Sequence, residues 1–283
     1  MSFGNKINMN RILLSTFLAL ILFAGLAFRP DPSTFSQVET PAKDETLRTY
    51  KHDAFKRGET LKYRMHYGWL DAGIVTIEVK DEAREIGGRK TYHVVGTGET
   101  KGSVDFFFKI RDRYESYIDE EALAPWIFIR RVNEGGYKIN QDYIFNHYKK
   151  KVDVGNNAVY DIPEYCQDMT SAFFYARCLD YSKAKEGDVF TINSFVDKEV
   201  FTVKIRYIGR ETIDSDVGKI KCLKFRPILQ KGRIFKHEED LNVWITDDKN
   251  HIPVRAQAKI LVGSVKMDLM EYSNLANPIS KVN

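Results

Sequence analysis

The 283-residue chain has few of the residues that most often carry catalysis or bind metals. It has three cysteines and six histidines, and none of them falls at the spacing of a zinc site or a zinc-protease helix. The sequence has no Gly-x-Ser-x-Gly turn, and its stretch GTGETKG lacks the spacing of a phosphate-binding loop. We therefore predict no metal, no cofactor and no catalytic residue.

The three cysteines leave the disulfide pattern open. If Cys166 and Cys178 lie on one helix, they are ~18 Å apart, beyond the reach of a disulfide. A bridge from either of them to Cys222 and three free thiols both remain open at this point.

The chain also lacks a large excess of charge of either sign. The chain has 43 basic and 39 acidic residues, which are interleaved, and its only basic run is at residues 149–151. Binding of nucleic acid requires a concentrated basic face. We therefore predict no nucleic-acid partner.

Long apolar runs are confined to the N terminus. Lys6 and Arg11 precede an apolar run at residues 12–23, and Gly25 and Ala27 suit a signal-peptidase site. A transmembrane anchor is the alternative, but the run is shorter than the ~20 apolar residues of a span. We predict that residues 1–27 are a signal peptide, whose removal leaves 41 basic and 39 acidic residues, a net charge of +2. The protein is then periplasmic and at most peripheral to the membrane.

Most of the remaining chain alternates apolar and polar residues with a period of two. In ETLKYRMHYGWL one face carries Leu61, Tyr63, Met65, Tyr67 and Trp69. Such alternation between turn signals is typical of strands with one buried face. We predict a mainly β fold of about 11 strands, in one large curved antiparallel sheet, half-barrel or barrel. Residues 55–275 form this single domain, and residues 28–54, which lack the alternation, form a flexible lead-in.

One segment, CQDMTSAFFYARCLDY, has helical spacing instead. Its apolar stripe consists of Met169, Phe173, Ala176 and Leu179, and Asp168 is placed to cap the N terminus. The pattern predicts a helix over residues 168–181 that covers the sheet. A shorter helical turn is expected at residues 103–108.

The acidic cluster Asp247, Asp248, Asn250 and His251 lies between two strand patterns. A calcium loop requires more oxygen ligands and a closing glutamate, whereas Asp and Asn are common turn residues. We predict a solvent-facing hairpin turn. The strands that follow, residues 254–262 and 265–269, should pair through Gly263 and bury Ala256, Ala258, Ile260, Val265, Met267 and Leu269.

The candidate ligand-binding residues are aromatic. GSVDFFFKIRDRYESY places Phe106, Phe107 and Phe108 side by side, which no single strand face can bury. Our preferred interpretation is a segment covered on both sides, and the alternative is a partly exposed lip over a cavity. Together with Tyr63, Tyr67 and Trp69, these residues are predicted to contact an apolar ligand.

Four stretches resemble a known family. They are FKRGETLKYRMHYGWLDAGIVTIEV (residues 55–79), FFFKIRDRYESYID (106–119), QDMTSAFFYAR (167–177) and VWITDDKNHIPVRAQAKILVGSVKMDL (243–269). Their order and spacing resemble the domain of unknown function 3108 family of exported Gram-negative proteins, in a Bacteroidetes-like version. The resemblance implies an envelope protein without an established reaction. It also implies a fold similar to the lipoprotein-carrier half-barrels, in which a helix covers a curved sheet.

Three functions follow from these observations. The leading hypothesis is a non-enzymatic binding module that holds a lipid or another apolar group in its curved sheet. The alternative is an envelope assembly or scaffolding protein that grips a protein partner. The third, a hydrolase of envelope polymers, requires carboxylates or histidines grouped in one cleft.

Overall fold

The computed structural model describes residues 46–228, 241–259 and 264–282. The predicted signal peptide, the first part of the predicted lead-in, and Ile260 and Gly263 of the predicted last hairpin lie outside these residues. Within them, no helix is both long and apolar enough to span a membrane.

The described residues form one antiparallel sheet of fifteen strands and two helices, which confirms the predicted mainly β fold. The strands are β1 (Thr60–Tyr67), β2 (Leu70–Val79), β3 (Arg84–Ile86), β4 (Arg89–Thr100), β5 (Arg111–Asp119), β6 (Pro125–Glu134), β7 (Tyr137–Asn146), β8 (Lys151–Asp153), β9 (Val159–Asp161), β10 (Val189–Val196), β11 (Glu199–Ser215), β12 (Gly218–Pro227), β13 (Leu241–Thr246), β14 (Pro253–Lys259) and β15 (Ser264–Ser273). The helices are α1 (Gly102–Phe107) and α2 (Met169–Arg177).

The sheet is rolled but does not close into a barrel. Its strand order is β10-β11-β12-β13-β14-β15-β1-β2-β4-β5-β6-β7-β8-β9, with β3 beside β4. The two end strands meet through side chains, since the Phe195 ring of β10 lies 5.5 Å from that of Tyr143 and 5.6 Å from that of Tyr160. Gln167 lies beside β10, where its N–H donates to Asn193 O and its carbonyl accepts from the N–H of Phe195, each at 2.8 Å.

The strand count exceeds the predicted eleven for two reasons. Three of the additional strands, β3, β8 and β9, have only three residues each. The fourth is β5, whose sequence RDRYESYID buries Asp112, Glu115 and Asp119. Because charged residues are seldom buried, this strand does not show the apolar alternation of its neighbours.

Helix α2 begins at the predicted cap. Asp168 Oδ1 accepts from the N–H groups of Thr170 and Ser171 at 2.7 and 2.8 Å, and Ser171 Oγ accepts from the N–H of Asp168 at 2.9 Å. The helix ends at Arg177, four residues before the predicted end. Its buried residues are not the predicted apolar stripe but Thr170, Ser171, Phe174 and Arg177.

A buried ion pair explains this polar face. Arg177 Nη1 donates to Glu59 Oε1 at 2.6 Å, and both side chains are almost fully buried. The same guanidinium donates to the carbonyls of Ala54 and Asn250, both at 2.9 Å. The helix therefore ties the start of β1 to the turn between β13 and β14.

The described part of the predicted lead-in packs against the body of the protein. Tyr50 Oη donates to Cys178 O at 3.0 Å, and the Arg48 guanidinium lies 4.0 Å from the centre of the Tyr165 ring. Ala54 is buried. Residues 46–54 thus pack against the sheet and α2.

The described part of the last hairpin has the predicted buried face. Ala256 pairs with Met267 and Ala258 pairs with Val265, and all four residues are buried together with Leu269. The cysteines form no disulfide, since Cys166, Cys178 and Cys222 are all free.

The acidic segment between β13 and β14 is a turn, as predicted, but it does not simply face solvent. Asp248 Oδ1 accepts from Thr246 Oγ1 and from the N–H of Asn250, each at 2.8 Å, and Oδ2 accepts from the N–H of Ser280 at 2.7 Å. Asn250 is buried. Asp247, in contrast, forms a surface pair with Arg210 at 2.9 Å. The turn therefore anchors the C-terminal segment to the sheet.

Candidate functional site

The antiparallel strand order brings four of the described connections to one end of the rolled sheet. They are the β1–β2 turn, the β4–β5 connection that contains α1, the β6–β7 turn and the β10–β11 turn. Seven of the nine exposed large hydrophobic side chains of the described residues lie here: Tyr67, Trp69, Phe106, Phe107, Tyr137, Val200 and Phe201. We call this surface the aromatic end. The Arg177–Glu59 ion pair lies at the opposite end, which we call the helix end.

Trp69 occupies the tip of a turn and not the inner face of a strand. The predicted turn at residues 70–73 belongs to β2, and the observed turn consists of Gly68 and Trp69. Gly68 has a φ of 58°, which glycine adopts without steric cost in a two-residue hairpin turn. Trp69 is consequently 88% exposed.

The six predicted ligand-binding residues separate into two groups. Tyr63 is fully buried in the main core, and Phe108 packs against that core. Tyr67, Trp69, Phe106 and Phe107 all belong to the aromatic end. The structure thus brings four of the six to one surface.

Helix α1 presents two phenyl rings to solvent. Phe106 and Phe107 are 86% and 83% exposed, and their rings meet edge to face with centroids 5.3 Å apart. The preferred interpretation of a segment covered on both sides is therefore wrong, and the exposed alternative is closer to what is observed.

A set of specific contacts fixes α1. Asp105 accepts from Thr100 Oγ1 and from Arg111 Nη1, each at 2.6 Å. Arg111, followed by Thr100, lowers the pKa of Asp105 to about 2. The Phe108 ring lies against Gly135, whose φ is 54° and whose Cβ, if present, would be 2.6 Å from the ring. Only glycine allows both this positive φ and this close approach of the ring, so the β6–β7 turn packs directly against the end of α1.

A buried carboxyl pair lies at the base of this surface. Asp112 in β5 and Glu134 in β6 are diagonal neighbours, because Ile110 is the residue opposite Glu134. Asp112 Oδ1 accepts from the N–H of Asn133 at 2.9 Å. Burial raises the pKa of Asp112 to about 6, and burial together with the charge of Asp112 raises the pKa of Glu134 to about 8. Burial therefore favours the protonated form of the pair.

Arg130 joins this region to the far side of the sheet. Its Nη1 donates to Asp197 Oδ1 in the β10–β11 turn at 2.8 Å, and its guanidinium lies 5.6 Å from the centre of the Tyr114 ring. Since β6 and β10 are not neighbours in the strand order, this ion pair bridges the aromatic end.

A second buried pair lies on the other face of the sheet. His93 Nε2 is 2.6 Å from Glu115 Oε2, and the Tyr117 ring stacks on His93 with centroids 4.3 Å apart. Along β5, Asp112 and Glu115 point to opposite faces because their numbers differ by three. The two carboxylate sites therefore do not share a cleft, and the described residues contain no group of three or more His, Cys, Asp or Glu that could hold a metal.

Sequence reasoning did not find these buried groups. Asp112 and Glu134 are 22 positions apart, and Arg130 and Asp197 are farther apart still. The available signal was the register of the β5–β6 hairpin, which required β5 to be recognised as a strand.

A family model for a protein of unknown function (DUF3108) matches residues 62–270. The chain belongs to the DUF3108 family. No curated protein matches this DUF3108 chain.

The DUF3108 chain is similar to several solved structures, to different degrees. A β-barrel-like protein of the DUF1849 domain from Brucella abortus has a TM-score of 0.51 and 10% identity, over 78% of this chain and 99% of its own. A candidate lipoprotein from Parabacteroides distasonis has a TM-score of 0.35 and 10% identity, over 81% of this chain and 100% of its own. A candidate exported protein with a YmcC-like fold from Bacteroides fragilis has a TM-score of 0.31 and 11% identity, with the same coverages. The first similarity shows a related fold alone, and the other two support no conclusion.

Proposed function

We propose that this DUF3108 protein is an exported, non-enzymatic binding module that holds a lipid or another apolar group at its aromatic end. The observation that carries the proposal is the concentration of exposed aromatic side chains on one end of the rolled sheet. Soluble proteins rarely leave large apolar patches exposed unless these contact a partner or ligand.

The contacts that hold α1 in place favour ligand binding by its exposed side chains. Thr100, Arg111 and Gly135 fix α1, so Phe106 and Phe107 need no ordering before they meet a ligand. The same rolled sheet buries further aromatic rings, among them Tyr114, Phe128, Tyr143 and Phe195. The exposed rings are therefore carried by a sheet whose interior is itself packed with aromatic side chains.

Export is the second part of the proposal and rests on the predicted signal peptide. Fractionation of the producing cells should place the protein in the periplasm. Mass spectrometry should give a chain that begins near Phe28. A cytoplasmic protein that keeps residues 1–27 would contradict this part.

Ligand binding is tested on protein purified from periplasm. Native mass spectrometry and solvent extraction should recover an apolar molecule from the wild type and much less of it from F106A/F107A. The control is V159A/V189A, which truncates two exposed apolar side chains on β9 and β10 that do not belong to the four connections named above. Absence of an apolar molecule from the wild type would overturn the proposal. A stoichiometric protein partner crosslinked in cells would instead favour a scaffolding role.

A further inference from the structure

We infer that the aromatic end docks on a membrane surface that contains anionic lipid, with Trp69, Phe106 and Phe107 entering the headgroup layer. This inference rests on the proposed function, because the surface that holds the apolar group is the one that meets the membrane.

The three side chains project from adjacent supports. The start of β2, immediately after Trp69, lies beside the start of α1, since the N–H of Lys101 donates to Ala72 O at 3.1 Å. Phe106 and Phe107 follow within the same short helix, none of whose residues is buried. Aromatic side chains with one apolar and one wet side are favoured at the membrane–water interface. Side chains that anchor a protein partner more often lie in a closed, desolvated pocket.

The charges around these side chains match an anionic surface. Lys109 and Lys198 are exposed on these connections and Lys138 is exposed at the start of β7, and no other described residue forms an ion pair with them. Long lysine side chains can place their apolar stems against a membrane while the ammonium groups reach the lipid phosphates.

Most acidic groups at this end are already compensated. Asp105 is paired with Arg111, and Asp197 with Arg130. The Asp112–Glu134 pair is buried. Asp71, which contacts His66, and Glu199 are exposed and oppose the effect, but the three lysines outnumber them.

Vesicle binding by the mature protein provides the test. Sedimentation is compared for vesicles of phosphatidylethanolamine with phosphatidylglycerol and for vesicles of phosphatidylcholine alone. Fluorescence reports on Trp69, because the other two tryptophans, Trp126 and Trp244, are buried. The wild type should sediment with the anionic vesicles, and its emission should shift to shorter wavelength. W69F should lose that shift.

Two sets of variants separate the apolar and the electrostatic contributions. F106S/F107S should weaken binding to anionic vesicles at least tenfold. K109Q/K138Q/K198Q should weaken it by roughly a hundredfold, or about fivefold for each lysine near an anionic surface, and should hardly change binding to phosphatidylcholine. V159S/V189S should bind like the wild type. Because all these side chains are exposed, thermal melting should show each variant folded.

Failure of the wild type to bind anionic vesicles would overturn the inference, as would equal weakening in V159S/V189S. Recovery of an apolar molecule from a protein that ignores vesicles would overturn docking and leave the proposed function intact. Vesicle binding by a protein from which no apolar molecule is recovered would support docking and overturn the proposed function.

Discussion

Among individual residues, Asp247 and Asp248 are adjacent in sequence but differ in role. Asp248→Ala should lower the free energy of unfolding by about 1–3 kcal/mol, because the N–H groups of Asn250 and Ser280 lose their acceptor. Asp247→Ala, the matched control, removes only a surface ion pair with Arg210 and should cost about 0.5 kcal/mol or less. Urea unfolding of the two variants measures the difference. Equal losses would show that Asp248 does not anchor the C-terminal segment.

The same two residues show how far the sequence predicts single-residue roles. The abundance of Asp and Asn correctly predicted a turn, because these side chains bond to nearby backbone in many proteins. The sequence could not reveal that Ser280, 32 positions away, supplies one of the donors to Asp248. Long-range partners of this kind depend on how the whole chain folds, so local patterns do not contain them.

Among elements, helix α2 depends on the ion pair that it carries. Arg177→Met and Glu59→Gln should each lower the free energy of unfolding by about 3–5 kcal/mol, because each leaves a buried partner uncompensated. The double variant should lose less than the sum of the two. Lys151→Met serves as the control, since its pair with Asp161 is exposed and should contribute about 1 kcal/mol or less. Additive losses at Arg177 and Glu59 in urea unfolding would show that the two side chains do not stabilise each other.

The elements themselves were predictable where local chemistry determines them. The start of α2 follows from Asp168, whose side chain caps the first turn. Its buried face was not predictable, because Arg177 is buried only by virtue of Glu59, 118 positions away. For the same reason β5 was missed, since its buried Glu115 and Asp119 find their partners on other strands.

For the molecule as a whole, the sequence predicted a curved antiparallel sheet but left its closure open. Alternation fixes which face of each strand is buried, and this demands a sheet that curves around a core. The closing contacts join strands that are distant in sequence and unpaired in the sheet, such as Phe195 with Tyr143 and Arg130 with Asp197. The aromatic end could be assembled only once the strand order was known, because its exposed residues come from four separate connections.

The stability of the whole molecule should depend on pH through the Asp112–Glu134 pair. Burial raises the pKa of both carboxyl groups above their ordinary values near 4, to about 6 and about 8. Between about pH 4 and pH 8 the folded protein therefore holds protons that the unfolded chain releases. The contribution of the pair to stability is therefore complete below about pH 4 and declines as the pH rises towards 8.

Glu134→Gln keeps the shape of the side chain and removes its charge. The variant should be more stable than the wild type at pH 8, by about 1 kcal/mol or more, because a tenfold change in proton affinity corresponds to about 1.4 kcal/mol. The difference should shrink towards pH 5, where the wild-type Glu134 is itself protonated.

Glu199→Gln removes the same charge from an exposed position and serves as the control, with little change at either pH. Thermal and urea unfolding across this pH range provide the measurement. A Glu134→Gln variant that is less stable than the wild type at pH 8 would show that the buried carboxylate is stabilised by its surroundings, and the pair would then not control the pH dependence.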